Sequence, residues 1–176
     1  MKTSEIIIRQ SKPSDASAVV RVKDMTWVAT YPNDKAGVTL ADIKAHLAKE
    51  SVDSKVKRWE GYLAGNETSQ TWVAEAGGEI VGFISASKSD EDKEIKALYI
   101  LPAYQKQGIG SRLIKTAIIW LGEGEINLSV VAYNQPAIAA YSKFGFELAD
   151  AESADPLTLP SGSVLREYKM IRNVRI

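Results

Sequence analysis

The chain has 176 residues, 45% of them hydrophobic and 25% charged, enough for one domain that buries roughly 70% of its unfolded surface. Twenty-two basic and twenty-two acidic residues cancel, so no global positive field draws it to nucleic acid or to an anionic membrane. Cysteine is absent, which excludes disulfides, thiolate metal sites and a cysteine nucleophile, and suits a reducing cytoplasm.

The N-terminus, M-K-T-S-E-I-I-I-R-Q, has too short an apolar run for a secretory segment, and no run reaches the ~18 residues needed to span a bilayer. We expect one cytoplasmic domain over residues 1–176, with no membrane partner. Ile6 to Arg9 read as a strand, and a helix begins near Pro13 to Asp15, where proline and an acidic residue suit a first turn. Its expected core face is Ala18, Val19, Val22, Met25 and Ala29. After a turn at Tyr31-Pro32-Asn33, Leu40 to Lys49 read as helix, with the only histidine, His46, flanking an apolar face of Leu40, Ile43 and Leu47. That position suits a surface or boundary role rather than a metal site or a serine triad. Val52, Val56, Trp59 and Leu63 give one more helical stripe.

The period then drops to two. Thr71 to Ala76 and Ile80 to Ser87 read as strands joined by Gly77-Gly78, and a charged tip over 88–93 precedes a strand from Glu94 to Leu101. Ile109, Leu113, Ala117, Ile118 and Leu121 mark a helix that packs on this meander. Ile126 to Ala132 form a strand, Pro136 to Phe144 a short helix, and Phe146 to Ala149 with Val164 to Ile171 a closing pair. No repeat or low-complexity tract occurs. The layout is mixed α/β.

Residues 98 to 110, L-Y-I-L-P-A-Y-Q-K-Q-G-I-G, are the most informative segment. A strand runs into a glycine-rich turn that opens a helix, so backbone N–H groups and the positive helix end converge where a pyrophosphate would sit. Leu113 breaks the dinucleotide spacing G-x-G-x-x-G, and no Gly-Lys-Ser or Gly-Lys-Thr occurs for a P-loop. Lys106, Arg112 and Lys115 surround the helix start. Lys106 is the one expected to meet phosphate.

The segment resembles the acetyl-coenzyme A signature of the GNAT superfamily of N-acetyltransferases: Arg or Gln, two residues, Gly, one residue, then Gly or Ala. Gln105, Lys106, Gln107, Gly108, Ile109 and Gly110 fill it. Downstream, N-Q-P-A-I-A-A-Y-S-K-F-G-F puts Asn134, Tyr141 and Gly145-Phe146 at the family's spacing. The likeness is strong from Glu94 to Leu148, looser over Ile6 to Val22, and absent over residues 32 to 70. It implies the GNAT fold: a central, mostly antiparallel sheet splayed at the cofactor groove, with helices on both faces. It also implies acetyl-CoA as cofactor. Leu98, Tyr99 and Ile100 would meet the pantetheine arm, and Gln105 through Ser111 would enclose the pyrophosphate.

Acyl transfer to an amine needs a base, because a lysine-like amine is only about one part in ~2,500 neutral at pH 7. Glu94, entering the central strand beside the groove, is the leading candidate, although a surface carboxylate near Asp90, Glu91 and Asp92 reads equally well. The departing thiolate needs a proton, and by resemblance Tyr141 occupies the general-acid position. Its other reading is a core aromatic sharing a helical stripe with Ala137 and Phe144. Asn134 would cap its helix and also meet the pantetheine arm. By family geometry, the Ile100 N–H would meet the oxyanion.

Trp27 and Tyr31, in T-W-V-A-T-Y-P, resemble a stretch of small-amine GNAT enzymes such as polyamine and phosphinothricin acetyltransferases, which makes them acceptor candidates alongside their reading as core anchors. Asp150, Glu152 and Asp155 would attract a cation or simply be solvated. The expected partner is a small-molecule primary amine, attacked in a ternary complex. Alternatives are a protein N-terminus or lysine as acceptor, and a non-catalytic CoA-binding sensor. A homodimer is an expectation from the family alone.

Overall fold

The computed structural model describes residues 5–152 and 156–174, with side chains described over 5–149 and 156–173. Strand β1 (Ile6–Gln10) lies at one edge of a seven-stranded sheet and pairs antiparallel with β2 (Ser69–Ala76). Between them run three helices: α1 (Ala16–Thr30), α2 (Leu40–Leu47) and α3 (Val52–Leu63). Each of the latter two starts on a hydroxyl cap, with Thr39 accepting from the Asp42 N–H and Ser51 from the Ser54 N–H.

Hairpin β2–β3 (β3, Glu79–Lys88) turns on Gly77 and Gly78, whose φ values of 57° and 87° are the left-handed pair that a two-residue turn needs. Strand β4 (Lys93–Ile100) completes the meander, and a bulge between Ser85 and Ala86 re-aims it. Helix α4 (Ile109–Leu121) crosses to β5 (Gly124–Val131), and α5 (Gln135–Ser142) leads to β6 (Glu147–Glu152). A small separate hairpin, β7 (Leu157–Thr158) with β8 (Val164–Leu165), precedes β9 (Glu167–Val174). The sheet order β1-β2-β3-β4-β5-β9-β6 inserts the last strand between β5 and β6.

Both faces of β3 are buried because helices cover each side. Phe83 meets Trp59 of α3 at 5.3 Å on one face, while Trp72, the partner of Ile84, meets Trp120 of α4 at 5.7 Å on the other. A second cluster of Val38, Ile43, Val131, Leu159 and Leu165 joins α2 and the small hairpin to the end of β5.

Three expectations are corrected. Helix α1 buries Ala16, Val19, Val20, Val22 and Thr26, whereas Met25 is 49% exposed and Ala29 is also exposed. A polar residue faces inward because the Thr26 hydroxyl donates to the Ile100 carbonyl at 3.4 Å. Leu40 and Val52, at helix starts, are exposed at 43% and 61%, and the inward place on α3 goes to Lys55, which is bonded to Asp24 at 2.6 Å. The closing strand breaks at Arg166, so 164–165 and 167–174 pair with different partners.

Candidate active site

Strands β4 and β5 run parallel but pair only at Glu94↔Asn127 and Ile95↔Leu128. Beyond Ile95 they part. The Leu101 N–H donates to the Val81 carbonyl at 2.9 Å, so alternation turns the peptide groups of Ala97 and Tyr99 toward β3 and those of Leu98 and Ile100 toward the open edge. The Ile100 carbonyl is taken by Gln105 Nε2 at 2.9 Å. Tyr99 therefore offers the groove its ring rather than its peptide.

The glycine turn lies at the far end of that edge. Lys106 holds a left-handed φ of 59°, a strained conformation for a side-chain-bearing residue, and Gly108 follows with φ 79° as the first residue of the α4 cap. No side chain caps this helix, and its first ladder bond is Arg112 N–H to Gly108 carbonyl at 3.1 Å. The N–H groups of Ile109, Gly110 and Ser111 precede that ladder at the positive end of the helix, an arrangement that suits an anion. Gly110 lies close to the end of β4: an added Cβ would sit 3.2 Å from Ile100 Cδ1. Ile109 is buried and anchors the turn; Gln107 Nε2 braces it on the Ala103 carbonyl at 2.9 Å. Arg112 is engaged elsewhere, donating to the Ile6 carbonyl at 2.9 Å. Lys106 stays exposed.

Where the strands part, a cavity of about 240 Å³ opens, lined by β4 and β5 and closed by Tyr31, Asn134, Tyr141 and Glu167. Asn134 Oδ1 accepts from the Ala137 N–H at 3.3 Å and so starts α5. Tyr141, 6% exposed, packs edge-on against Phe146 at 5.8 Å. Burial, reinforced by Tyr99, pushes its phenol well above the ordinary tyrosine range. It stays protonated at neutral pH.

The other wall is acidic and aromatic. Glu94 lines the cavity and pairs with Lys96. Tyr31 lines it too, its phenol pushed up mainly by burial, and its backbone carbonyl accepts from the Tyr133 hydroxyl at 2.5 Å. Trp27 stands behind this wall: it meets Tyr31 edge-on at 5.0 Å and stacks on His46 at 5.3 Å, and it is not among the lining residues. His46 is thus a partly buried boundary residue. Asp155 lies outside the described residues, as do the side chains of Asp150 and Glu152.

Sequence reading missed Glu167 and the ring of Tyr99. Glu167 reaches the cavity because β9 lies beside β5 with Glu167 opposite Val131. No local pattern in V-L-R-E-Y signals that placement.

A family model described as the acetyltransferase (GNAT) family matches residues 39–146. The chain belongs to the GNAT family of acetyltransferases. It is 31% identical over 102 residues to the peptidyl-lysine N-acetyltransferase YiaC of Escherichia coli, covering 58% of this chain and 64% of that protein. It is 29% identical over 158 residues to streptothricin acetyltransferase of Streptomyces lavendulae, covering 83% and 84%. A mycothiol acetyltransferase of Corynebacterium efficiens is 33% identical over 69% of this chain and 50% of its own length. The chain thus spans between half and two thirds of YiaC and of this mycothiol enzyme. PaiA N-acetyltransferase from Thermoplasma acidophilum, solved with coenzyme A, shares the fold with a TM-score of 0.76 at 22% identity over 97% of this chain and 99% of that one. The GNAT fold expected from the motifs is the fold observed, splayed sheet included. The uncapped α4 start and the open β4 edge fit the chemistry of a CoA thioester: amides for a diphosphate, and a strand edge for an amide-bearing arm. No helix of the described residues is long and apolar enough to cross a membrane.

Proposed function

We propose that the chain, acting as one domain over residues 1–176, transfers the acetyl group of acetyl-CoA to a primary amine of a small molecule by direct attack in a ternary complex. The observation that carries this reading is the cavity where β4 and β5 part, with a protonated phenol on one side and carboxylates on the other.

Acetyl-CoA, when bound, supplies an activated thioester with a thiol leaving group. The N–H groups over 107–111, with Gln105 and Lys106 beside them, hold the diphosphate, and Gly108 supplies the left-handed turn that lets them converge. Leu98 and Ile100 hold the pantetheine arm through their open-edge peptides, with Tyr99 and Asn134 bordering it. The Ile100 N–H donates to the carbonyl oxygen as negative charge develops there. Tyr141 gives its hydroxyl proton to the departing sulfur.

The acceptor enters past Tyr31, with Trp27 bracing that ring from behind. An ammonium suits an aromatic and acidic wall. Holding it neutral at pH 7 costs about 4.6 kcal/mol for a group of ordinary pKa, so the site must accept a proton. Glu94 draws the ammonium in and orients it. The likeness to YiaC, whose name specifies peptidyl-lysine, supports a second reading in which the amine belongs to a peptide.

Thiol release is followed with acetyl-CoA and a panel of small amines and lysine peptides. We expect release with a small amine. Stabilisation by acetyl-CoA with no release from any acceptor would replace this reading with a CoA-binding sensor.

A further inference from the structure

We infer that Glu167, rather than Glu94, is the group that takes the proton from the acceptor's ammonium; this rests on the acyl-transfer reading above. Glu167 starts β9 opposite Val131, the last residue of β5, at the mouth where β4 and β5 part. It lines the same cavity as Glu94, Tyr31, Tyr99 and Tyr141. Strand alternation turns the next residue, Tyr168, to the opposite face, where it packs on the core.

The two carboxylates differ in their company. Glu94 is ion-paired with Lys96. Glu94, a like charge, acts on Glu167 across the cavity they share. A half-buried carboxylate facing another carboxylate is unfavourable until a cation arrives between them. The acceptor's ammonium is that cation.

The other ionisable groups lining the cavity with Glu94 and Glu167 are Lys96 and Tyr99 from β4, Tyr31 after α1, and Tyr141 from α5. The β5 wall of Ser129, Val130 and Val131 carries none. Burial first, and Glu94 second, hold the Glu167 carboxyl above the ordinary glutamate range, which brings a base nearer to neutral pH, where it works best. In the step, the N–H bond of the ammonium breaks, its electron pair stays on nitrogen as the attacking lone pair, and an O–H bond forms on Glu167. Glu167 then returns the proton to water through the cavity mouth.

The full chain is assayed as wild type, Glu167→Gln and Glu94→Gln, with initial thiol release at saturating acetyl-CoA and amine measured against pH, and acetyl-CoA affinity by calorimetry. Wild-type kcat should fall on the acid side as Glu167 takes up a proton. E167Q should lose roughly 10²- to 10⁴-fold in kcat, lose that acid limb, and keep its acetyl-CoA affinity. E94Q should keep the limb but move it to lower pH, because removing the neighbouring negative charge lets Glu167 ionise more readily. The inference is overturned if the two patterns are exchanged, or if E167Q keeps the wild-type kcat. Should E167Q fail to bind acetyl-CoA, Glu167→Asp carries the test: a lowered kcat with the acid limb retained supports the assignment, and an unchanged kcat overturns it. A wild type that binds acetyl-CoA and acetylates nothing overturns the parent reading, and this inference with it.

Discussion

The sheet uses the same backbone groups in opposite ways on either side of β4. From β1 to β4 the strands pair antiparallel in long registers, such as Ile6↔Ala76 through Gln10↔Trp72, and the central strands β2 and β3 are backed by mostly buried side chains. Between β4 and β5 pairing stops after Ile95↔Leu128. A ladder that closes on itself gives stability, whereas a ladder left open keeps donors and acceptors for a ligand. The bulge at Ser85/Ala86 and the inward Tyr141 lie where one regime gives way to the other.

The contrast breaks most visibly if the closed half is hollowed. Phe83 is fully buried between Trp59 and Tyr99, so Phe83→Ala should cost about 3–5 kcal/mol of unfolding free energy in a denaturant melt. The folded fraction should still bind acetyl-CoA. In the open half, Tyr141→Phe removes one hydroxyl and should lower turnover at least ~10²-fold while leaving acetyl-CoA affinity and the melt nearly unchanged. Unaltered turnover would remove the acid role of Tyr141.

Gly108→Ala sharpens the comparison because it touches both properties. A side chain at φ 79° is strained, so we expect a loss of about 1–2 kcal/mol in stability and weaker acetyl-CoA binding together. The smallest effect belongs to the far edge of the sheet, where Arg9 joins Asp15 at 2.8 Å and Glu75 at 2.9 Å. The Arg9 hydrogen bond, above all, holds the Asp15 carboxyl below its ordinary range. Its contribution is therefore present above the unfolded carboxylate pKa and lost as pH falls through the depressed folded value. Asp15→Asn should flatten this acid loss, by roughly 1 kcal/mol, because Asp15 is buried but its partner Arg9 is still partly open to solvent, with turnover unaffected.

What was legible in the sequence was local. The glycine turn, the Gly77-Gly78 hairpin and the Asn134-to-Phe146 run announce themselves because their chemistry is contained in neighbouring residues. The groove itself came from family likeness, and its location was as expected. The facing of α1 was misread because Thr26 and Met25 exchange the places that hydrophobicity assigns them, the Thr26 hydroxyl being satisfied by a carbonyl 74 residues away in sequence. Glu167 was illegible for the same reason. Its meaning comes from β9 entering between β5 and β6, a fact of topology that no window of sequence contains.

The most direct test of the account is a residue-resolved NMR titration of the backbone amides with acetyl-CoA. The account predicts that the N–H signals of Leu98, Ile100, Ile109, Gly110 and Ser111 shift and gain exchange protection, while those of β1 to β3 stay as they are. Saturating ligand that leaves these five amides unmoved, or that perturbs the β1–β3 ladder instead, would contradict it.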